Sequence, residues 1–288
     1  MKVLQWNIQW CRGLDGVVDP ARIARRALGY GEPEVICLQE VAINYPALAG
    51  SSGEDQVAAL SAALPGYTAV FAPAVDVPAE SGGRAQFGNL ILSRLPVWQV
   101  YRHSLPWPGD AGVPSMSRVA LEAVIETRFE PPFDRIRVCT THLDFYSERQ
   151  RDAQIGRLRG LHAEACSHAH LAPSDRYDAG PFKPFPRPQP AILTGDFNLP
   201  EGTADAHYAR LQEPLAPSVP RYVDAWRALK GEAPYPPTFC VHERAHGRAP
   251  YSCDFIFVTE DLAPRLERIE IDGENRDSDH QPVLIEIL

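Results

Sequence analysis

Ile192-Leu193-Thr194-Gly195-Asp196-Phe197-Asn198 is the stretch on which the reading of this chain turns. Residues 190–194 make a short apolar run of the kind that forms a buried strand. Gly195 then permits a tight turn that carries a carboxylate and an amide, Asp196 and Asn198, just past the strand end. The same arrangement recurs elsewhere. Leu4-Gln5-Trp6-Asn7-Ile8 closes on Asn7, Val35-Ile36-Cys37-Leu38-Gln39-Glu40 closes on Glu40, and Val138-Cys139-Thr140-Thr141-His142-Leu143 presents His142. Two later segments open strands instead: Ser252-Cys253-Asp254-Phe255-Ile256 with Asp254, and Ser278-Asp279-His280-Gln281-Pro282-Val283 with Asp279 and His280. Each residue alone has a plain structural explanation: an Asp before a strand caps a turn, and a lone His after one is structural more often than catalytic. The information lies in the set.

Working outward, Asp19-Pro20 opens a helical stretch that stops at residues 29–31, and residues 55–64 and 147–166 read as further helices. Strands are expected over 2–8, 34–38, 67–71, 87–93, 97–103, 119–127, 135–141, 252–258, 266–271 and 282–287 as well as 190–194. Strands stand both before and after the helices without strict alternation, which predicts a mixed-sheet α/β sandwich in one domain over residues 1–288. Residues 172–190 carry Pro173, Pro181, Pro184, Pro186, Pro188 and Pro190. They are expected to form a semi-rigid surface connection, the alternative being a proline-rich ligand for a partner.

The 288 residues include 28 Lys and Arg against 37 Asp and Glu, a formal charge of −9, with 44% hydrophobic residues. That balance belongs to a folded domain rather than a disordered chain. It argues against a general nucleic-acid coat, since non-specific affinity comes from neutralising phosphates, although a local basic patch can exist within a negative total. No apolar run reaches the ~18–20 residues of a membrane span. Residues 1–7 turn polar too early for a signal-peptide core, so a cytoplasmic protein is expected. Cys11, Cys37, Cys139, Cys166, Cys240 and Cys253 contain no Cys-x-x-Cys pair and read as reduced core thiols.

Taken together, the motifs resemble the endonuclease/exonuclease/phosphatase superfamily, which includes pancreatic deoxyribonuclease and the exonuclease III-type repair enzymes. The resemblance runs from Asn7 to His280 with every block in family order; Gly195-Asp196-Phe197-Asn198 and Ser278-Asp279-His280 are its most specific parts, and Gly88-Asn89-Leu90-Ile91-Leu92-Ser93-Arg94 a weaker third. It implies a four-layered α/β sandwich and Mg²⁺- or Mn²⁺-dependent phosphoester hydrolysis. It also implies that Asn7 and Glu40 hold the metal with Asp279 nearby. Asp196 and Asn198 would orient the attacking water or contact the phosphate. His280, fixed by Asp254, would act as base or phosphate donor, and His142 would bind the phosphate or assist the leaving group. The residue types suit that chemistry: carboxylates crowded in one pocket favour a hard divalent cation, and oxygen ligation favours Mg²⁺ or Mn²⁺ over Zn²⁺. Whether Asp196 or His280 takes the proton of the water is left open.

Alternating the directions of successive elements places all these residues on one rim and the proline-rich stretch at the opposite end. The rim loops are then 9–18, 41–53, 72–86, 104–117, 145–146 and 230–251. They bring Arg84, Arg118 and Tyr251 forward as substrate-binding residues, with Tyr45, Trp107, Phe145, Tyr146, Phe239, His242 and His246 nearby. The rim has aromatics but few cations, so a phosphoester substrate is expected, with nucleic acid not favoured by the charge of −9. No protein partner and no stable membrane insertion are implied. A Pro-x-Trp-Cys-Asp-Arg motif of the inositol-polyphosphate phosphatase relatives is only partly matched, as Pro250-Tyr251-Ser252-Cys253-Asp254-Phe255. Leu105-Pro106-Trp107-Pro108 is the feature a sphingomyelinase-like lipid phosphodiesterase would use. The same residues would also serve phosphomonoester hydrolysis, and a non-catalytic relative could keep the fold for binding alone.

Overall fold

Alternation along the first strand sets the architecture. In β1 (Lys2–Asn7), Leu4 and Trp6 pack with helix residues Ile23 and Ala27, while Val3 joins a second cluster that holds Leu121, Val138 and Ile256. One face of this strand therefore meets helices and the other meets a second sheet. The chain is described by a computed structural model that covers residues 1–80, 82–171, 180–183, 185, 187–243 and 249–288.

The first sheet adds β2 (Val35–Ile43), β3 (Thr68–Pro78), β4 (Arg84–Ser93), β11 (Leu266–Ile271) and β12 (Val283–Ile287), in the order β11-β12-β1-β2-β4-β3. The second holds β5 (Val97–Ser104), β6 (Val119–Glu126), β7 (Arg135–His142), β8 (Ala191–Asp196), β9 (Tyr222–Asp224) and β10 (Asp254–Thr259), ordered β5-β6-β7-β8-β10-β9. Each sheet has one parallel pair near its centre, β1 with β2 and β7 with β8, and its other pairings are antiparallel. The parallel pairs are spanned by crossover helices, α1 (Pro20–Gly29) and α3 (Glu148–Ala169). α1 and α2 (Gln56–Ala63) cover the outer face of the first sheet; α3 and α4 (Ala206–Gln212) cover that of the second. The result is the expected four-layered α/β sandwich.

Local sequence explains the helix starts. Asp19, Asp55 and Ser147 accept hydrogen bonds from the backbone N–H groups of Arg22, Ala58 and Gln150, each as an N-cap, and Pro20 fills the first turn of α1. Two parts of the structure depart from the sequence pattern. Residues 72–78, expected as loop, extend β3 into a long hairpin with β4. Pro73 and Pro78 read as strand breakers, but β3 is an edge strand, where a missing donor is tolerated. Between 199 and 251, α4, β9 and α5 (Ala225–Lys230) form where no element was expected.

Arg187, Pro188 and Gln189, at the end of the proline-rich stretch, lie near the start of β7; residues 172–179, 184 and 186 are outside the described residues. There the buried Arg137 guanidinium donates to the carbonyls of Pro188 (2.7 Å) and Gln189 (3.1 Å). Arg137 stands five residues before His142, so the stretch leaves the sheet ~17 Å from the strand end that carries His142. All six cysteines are buried. Among the described residues, no helix is long and apolar enough to cross a membrane.

Candidate active site

The carboxyl ends of the two parallel pairs meet, and three backbone irregularities aim their side chains. The β2–β4 register shifts between Leu38 and Val41, and inside that bulge Glu40 has φ +61°. The extra residue turns the Glu40 carboxylate out of the pleat and toward β1. Gly195 has φ +150°, and a Cβ there would stand 2.0 Å from the Thr141 carbonyl oxygen. Glycine thus lets β8 close on β7, where His142 and Asp196 are paired in register. Asn198, at φ +50°, takes a left-handed turn; its N–H donates to Asp196 Oδ1 (3.0 Å) and its amide to the Leu143 carbonyl (2.9 Å).

Asn7 ties the two sheets together at this point. Its Nδ2 donates to Glu40 Oε1 at 3.1 Å and to Asp196 Oδ2 at 3.0 Å. Behind it, Gln5 donates to Asp254 Oδ1 (2.7 Å), Gln39 to Thr140 Oγ1 (2.8 Å) and Asn89 to the Val119 carbonyl (3.0 Å), all from the first sheet to the second. The interface between the sheets is apolar below and hydrogen-bonded at the rim, which fixes the spacing of the groups above it.

Asp196 is flanked by two imidazoles, with its Oδ2 lying 3.5 Å from His142 Nε2 and 3.6 Å from His280 Nε2. The two rings are shifted in opposite directions. Burial, with Arg118 and His280 adding repulsion, depresses His142 well below the usual histidine range and keeps it neutral. Burial would also discharge His280, but Asp254 and Asp196 outweigh it and hold the imidazolium well above that range. Its Nδ1 donates to Asp254 Oδ2 at 2.8 Å, which fixes the ring. Burial pushes Asp196 up to about 6 against the pull of His280, and burial together with Asp279 pushes Glu40 up to about 7.

A cleft of about 350 Å³ opens over these groups, lined by Glu40, Arg118, His142, Asp196, Asn198, Asp279 and His280. Arg118 is buried, with Nε 3.9 Å from Asp144 Oδ2, and its Nε and Nη1 make no hydrogen bond. Asp279 Oδ2 accepts from Gln9 Nε2 at 2.7 Å. Glu40, Asp196 and Asp279 put three carboxylates on one small cleft, and their mutual repulsion is part of what raises Glu40. This all-oxygen donor set, with the Asn7 side chain beside it, fits a hard divalent cation. One ligand atom each of Asp196, Cys253 and His280 also lie within 4.8 Å of one another. There, however, burial and the two neighbouring carboxylates hold the Cys253 thiol protonated, and it donates to Asp254 Oδ2 (3.4 Å), so a soft thiolate ligand is not presented.

The residues expected at the rim from sequence divide by location. Asn7, Glu40, His142, Asp196, Asn198, Asp254, Asp279 and His280 come together, with Asp254 one layer behind His280. Arg118 lines the cleft. Arg84 does not: at the β3–β4 hairpin it is exposed and bound to Asp76 Oδ1 at 2.7 Å, because the segment taken for a loop is a strand pair. Tyr251 pairs its backbone with Phe239 and packs edge-on against that ring (5.6 Å), and it is Phe239 that faces the cleft, 4.5 Å from the His280 ring. Of the further rim residues, Tyr45, Phe145 and Tyr146 line the cleft, Trp107 lies outside its lining with Nε1 on Ser115 Oγ, and His246 is outside the described residues.

Gln9, Trp10, Gln5 and Gln39 were not singled out from the sequence. For Gln5 a signal existed: a polar residue two before Asn7 on an otherwise apolar strand must face the same side. Gln9, Trp10 and Cys11 carry φ values of +43°, +45° and +62°. Three successive left-handed non-glycine residues, at about 1–2 kcal/mol each, are not foreseeable from Gln-Trp-Cys.

Two six-stranded sheets enclosed by helices carry one polar centre at the carboxyl ends of both parallel pairs, the architecture of a four-layered α/β sandwich. The sequence matches the Endonuclease/Exonuclease/phosphatase family over residues 4–280, and the chain belongs to it. Among solved structures, it is similar to an endonuclease/exonuclease/phosphatase from Bacteroides vulgatus (19% identity, 100% of this chain and 98% of that one, TM-score 0.68). It is also similar to the mannosyl-6-phosphatase Bt3783 of Bacteroides thetaiotaomicron (16%, 100% and 99%, TM-score 0.65). A third similar structure is the human Nocturnin catalytic domain with bound sulfate (18%, 99% and 92%, TM-score 0.61). No curated protein sequence matches. At these identities the structural likeness concerns the fold.

Proposed function

We propose that this protein is a divalent-metal-dependent phosphoesterase that hydrolyses phosphodiesters in preference to monoesters. The observation that carries the reading is the Asp196 carboxylate set between a neutral imidazole and an imidazolium, at 3.5 and 3.6 Å. Such a group, held at about 6, is matched to accept a proton from water near neutral pH. His280 is already protonated through its bond to Asp254, which supports a role as donor to a phosphate oxygen and makes Asp196 the better base. His142, neutral, would bind the phosphate or serve the leaving oxygen. Arg118, which lines the cleft, would set its positive charge beside a phosphate oxygen. Glu40, Asn7 and Asp279 would hold Mg²⁺ or Mn²⁺, which when bound supplies charge neutralisation at the phosphate.

The preference for diesters follows from charge. Arg118 is the one Lys or Arg side chain among the described cleft-lining residues, and a diester carries a single negative charge where a monoester carries nearly two at neutral pH. The test is a hydrolysis panel of plasmid DNA, single-stranded DNA, RNA, sphingomyelin, inositol phosphates and bis(4-nitrophenyl) phosphate. Each is run with Mg²⁺, Mn²⁺ or EDTA, beside Asp196→Ala. Metal-dependent cleavage lost in the variant is the expected result. Cleavage surviving in Asp196→Ala, or no cleavage of any substrate with either metal, contradicts the proposal.

A further inference from the structure

Trp10 is held where it stands by three separate devices. The chain around it runs through the left-handed residues Gln9, Trp10 and Cys11. Gln56, fully buried, locks that turn by donating to the Trp10 carbonyl (2.7 Å) while accepting from the Ala42 N–H (3.0 Å). The indole edge is fastened by Nε1 to the Ala49 carbonyl at 2.9 Å. Strained backbone of this kind persists only where surrounding bonds over-determine it, and it collects at functional sites. The half-buried indole lines the cleft together with Tyr45, Leu48, Phe145 and the exposed Tyr146, the last two with rings 4.7 Å apart and edge to face.

A phosphate needs charge and hydrogen-bond donors, and the floor supplies them. An aromatic and aliphatic wall does nothing for the phosphate itself. A cleft of about 350 Å³ is also at the small end for ligand pockets, which run ~300–1,000 Å³. We infer that the cleft takes a small phosphodiester bearing a planar aromatic or apolar ester group, and that Trp10 is the specificity-determining platform on which that group rests. This inference builds on the phosphoesterase reading of the site, and it names what flanks the phosphate.

The test measures binding apart from turnover. Dissociation constants for diphenyl phosphate and dimethyl phosphate are obtained by calorimetry with Mn²⁺ present, for the native protein, Trp10→Phe and Trp10→Ala, with far-ultraviolet dichroism confirming that each is folded. The native protein should bind diphenyl phosphate about tenfold or more tightly than dimethyl phosphate, the scale of one aromatic stacking contact. Trp10→Phe should keep most of that preference. Trp10→Ala should lose it while its affinity for dimethyl phosphate stays within about twofold. Equal affinities in the native protein overturn the inference, as does a preference unchanged in Trp10→Ala. Equal weakening of both ligands would mean that Trp10 serves only the loop, and also overturns it; should Trp10→Ala fail to fold, Trp10→Leu, which keeps apolar bulk without a planar ring, is read in its place by the same criteria. Hydrolysis of bis(4-nitrophenyl) phosphate is followed in parallel. A binding preference without metal-dependent hydrolysis would sink the phosphoesterase reading and leave the platform standing, and the reverse pattern would do the opposite.

Discussion

Replacing Glu40 with Gln should stabilise the metal-free protein at alkaline pH and leave it unchanged at acid pH. Glu40 is 17% exposed and stands at about 7 against an ordinary 4.5, because burial and Asp279 disfavour its charge. Below about 4.5 the group is protonated in both folded and unfolded chains and costs nothing. Between about 4.5 and about 7 the unfolded chain gives up this proton while the folded protein keeps it, so stability falls progressively across that window and the loss is complete above about 7. The gap corresponds to ~3 kcal/mol when fully expressed, or a rise in melting temperature of about 5–10 °C for Glu40→Gln at pH 8. The amide keeps an oxygen for the Asn7 donor at 3.1 Å, so little is lost in exchange. Thermal unfolding of EDTA-treated native protein and variant at pH 5 and pH 8 measures this directly. Mn²⁺ should then restore stability to the native protein and much less to Glu40→Gln. A variant that melts lower than the native protein at pH 8, or by the same margin at both pH values, would refute the reasoning.

Three further outcomes follow from the geometry. Asp254→Asn removes the carboxylate that holds the His280 imidazolium, so kcat should fall by about 10²–10³, and a pH–rate profile should show an ionisation moved down toward the ordinary histidine value. Gly195→Ala forces a Cβ to within 2.0 Å of the Thr141 carbonyl at φ +150°, and chemical denaturation should show a loss of at least ~3 kcal/mol. The six buried thiols should stay unreactive toward Ellman's reagent in the native protein and react fully on unfolding in guanidinium.

Much of this fold was legible because its chemistry sits at strand ends. Buried strands announce themselves as apolar runs, and a polar residue that abruptly closes or opens one, such as Asn7, Asp196 or Asp254, is placed at the rim by the strand itself. Counting directions then needed only that elements alternate, and the pairings of β4 through β8 obey it. What stayed hidden depends on contacts distant in sequence. Pro73 and Pro78 look like breakers until β3 is known to lie at an edge, and Arg84 went astray with them. β9 has three residues and α5 six, too few to show a period, and they form because Asp224 caps one and β10 pairs with the other. Trp10 carries no glycine or turn signature, and its position is set by Gln56 and Ala49, some forty residues further along.

The most direct measurement is metal add-back. Protein stripped with EDTA is assayed for bis(4-nitrophenyl) phosphate hydrolysis as Mn²⁺ is titrated in, beside Glu40→Gln and Asp196→Ala. The account predicts no turnover without metal, saturable recovery in the native protein, recovery only at far higher Mn²⁺ in Glu40→Gln, and none in Asp196→Ala. Turnover that survives the chelator, or recovery equal in all three proteins, would contradict it.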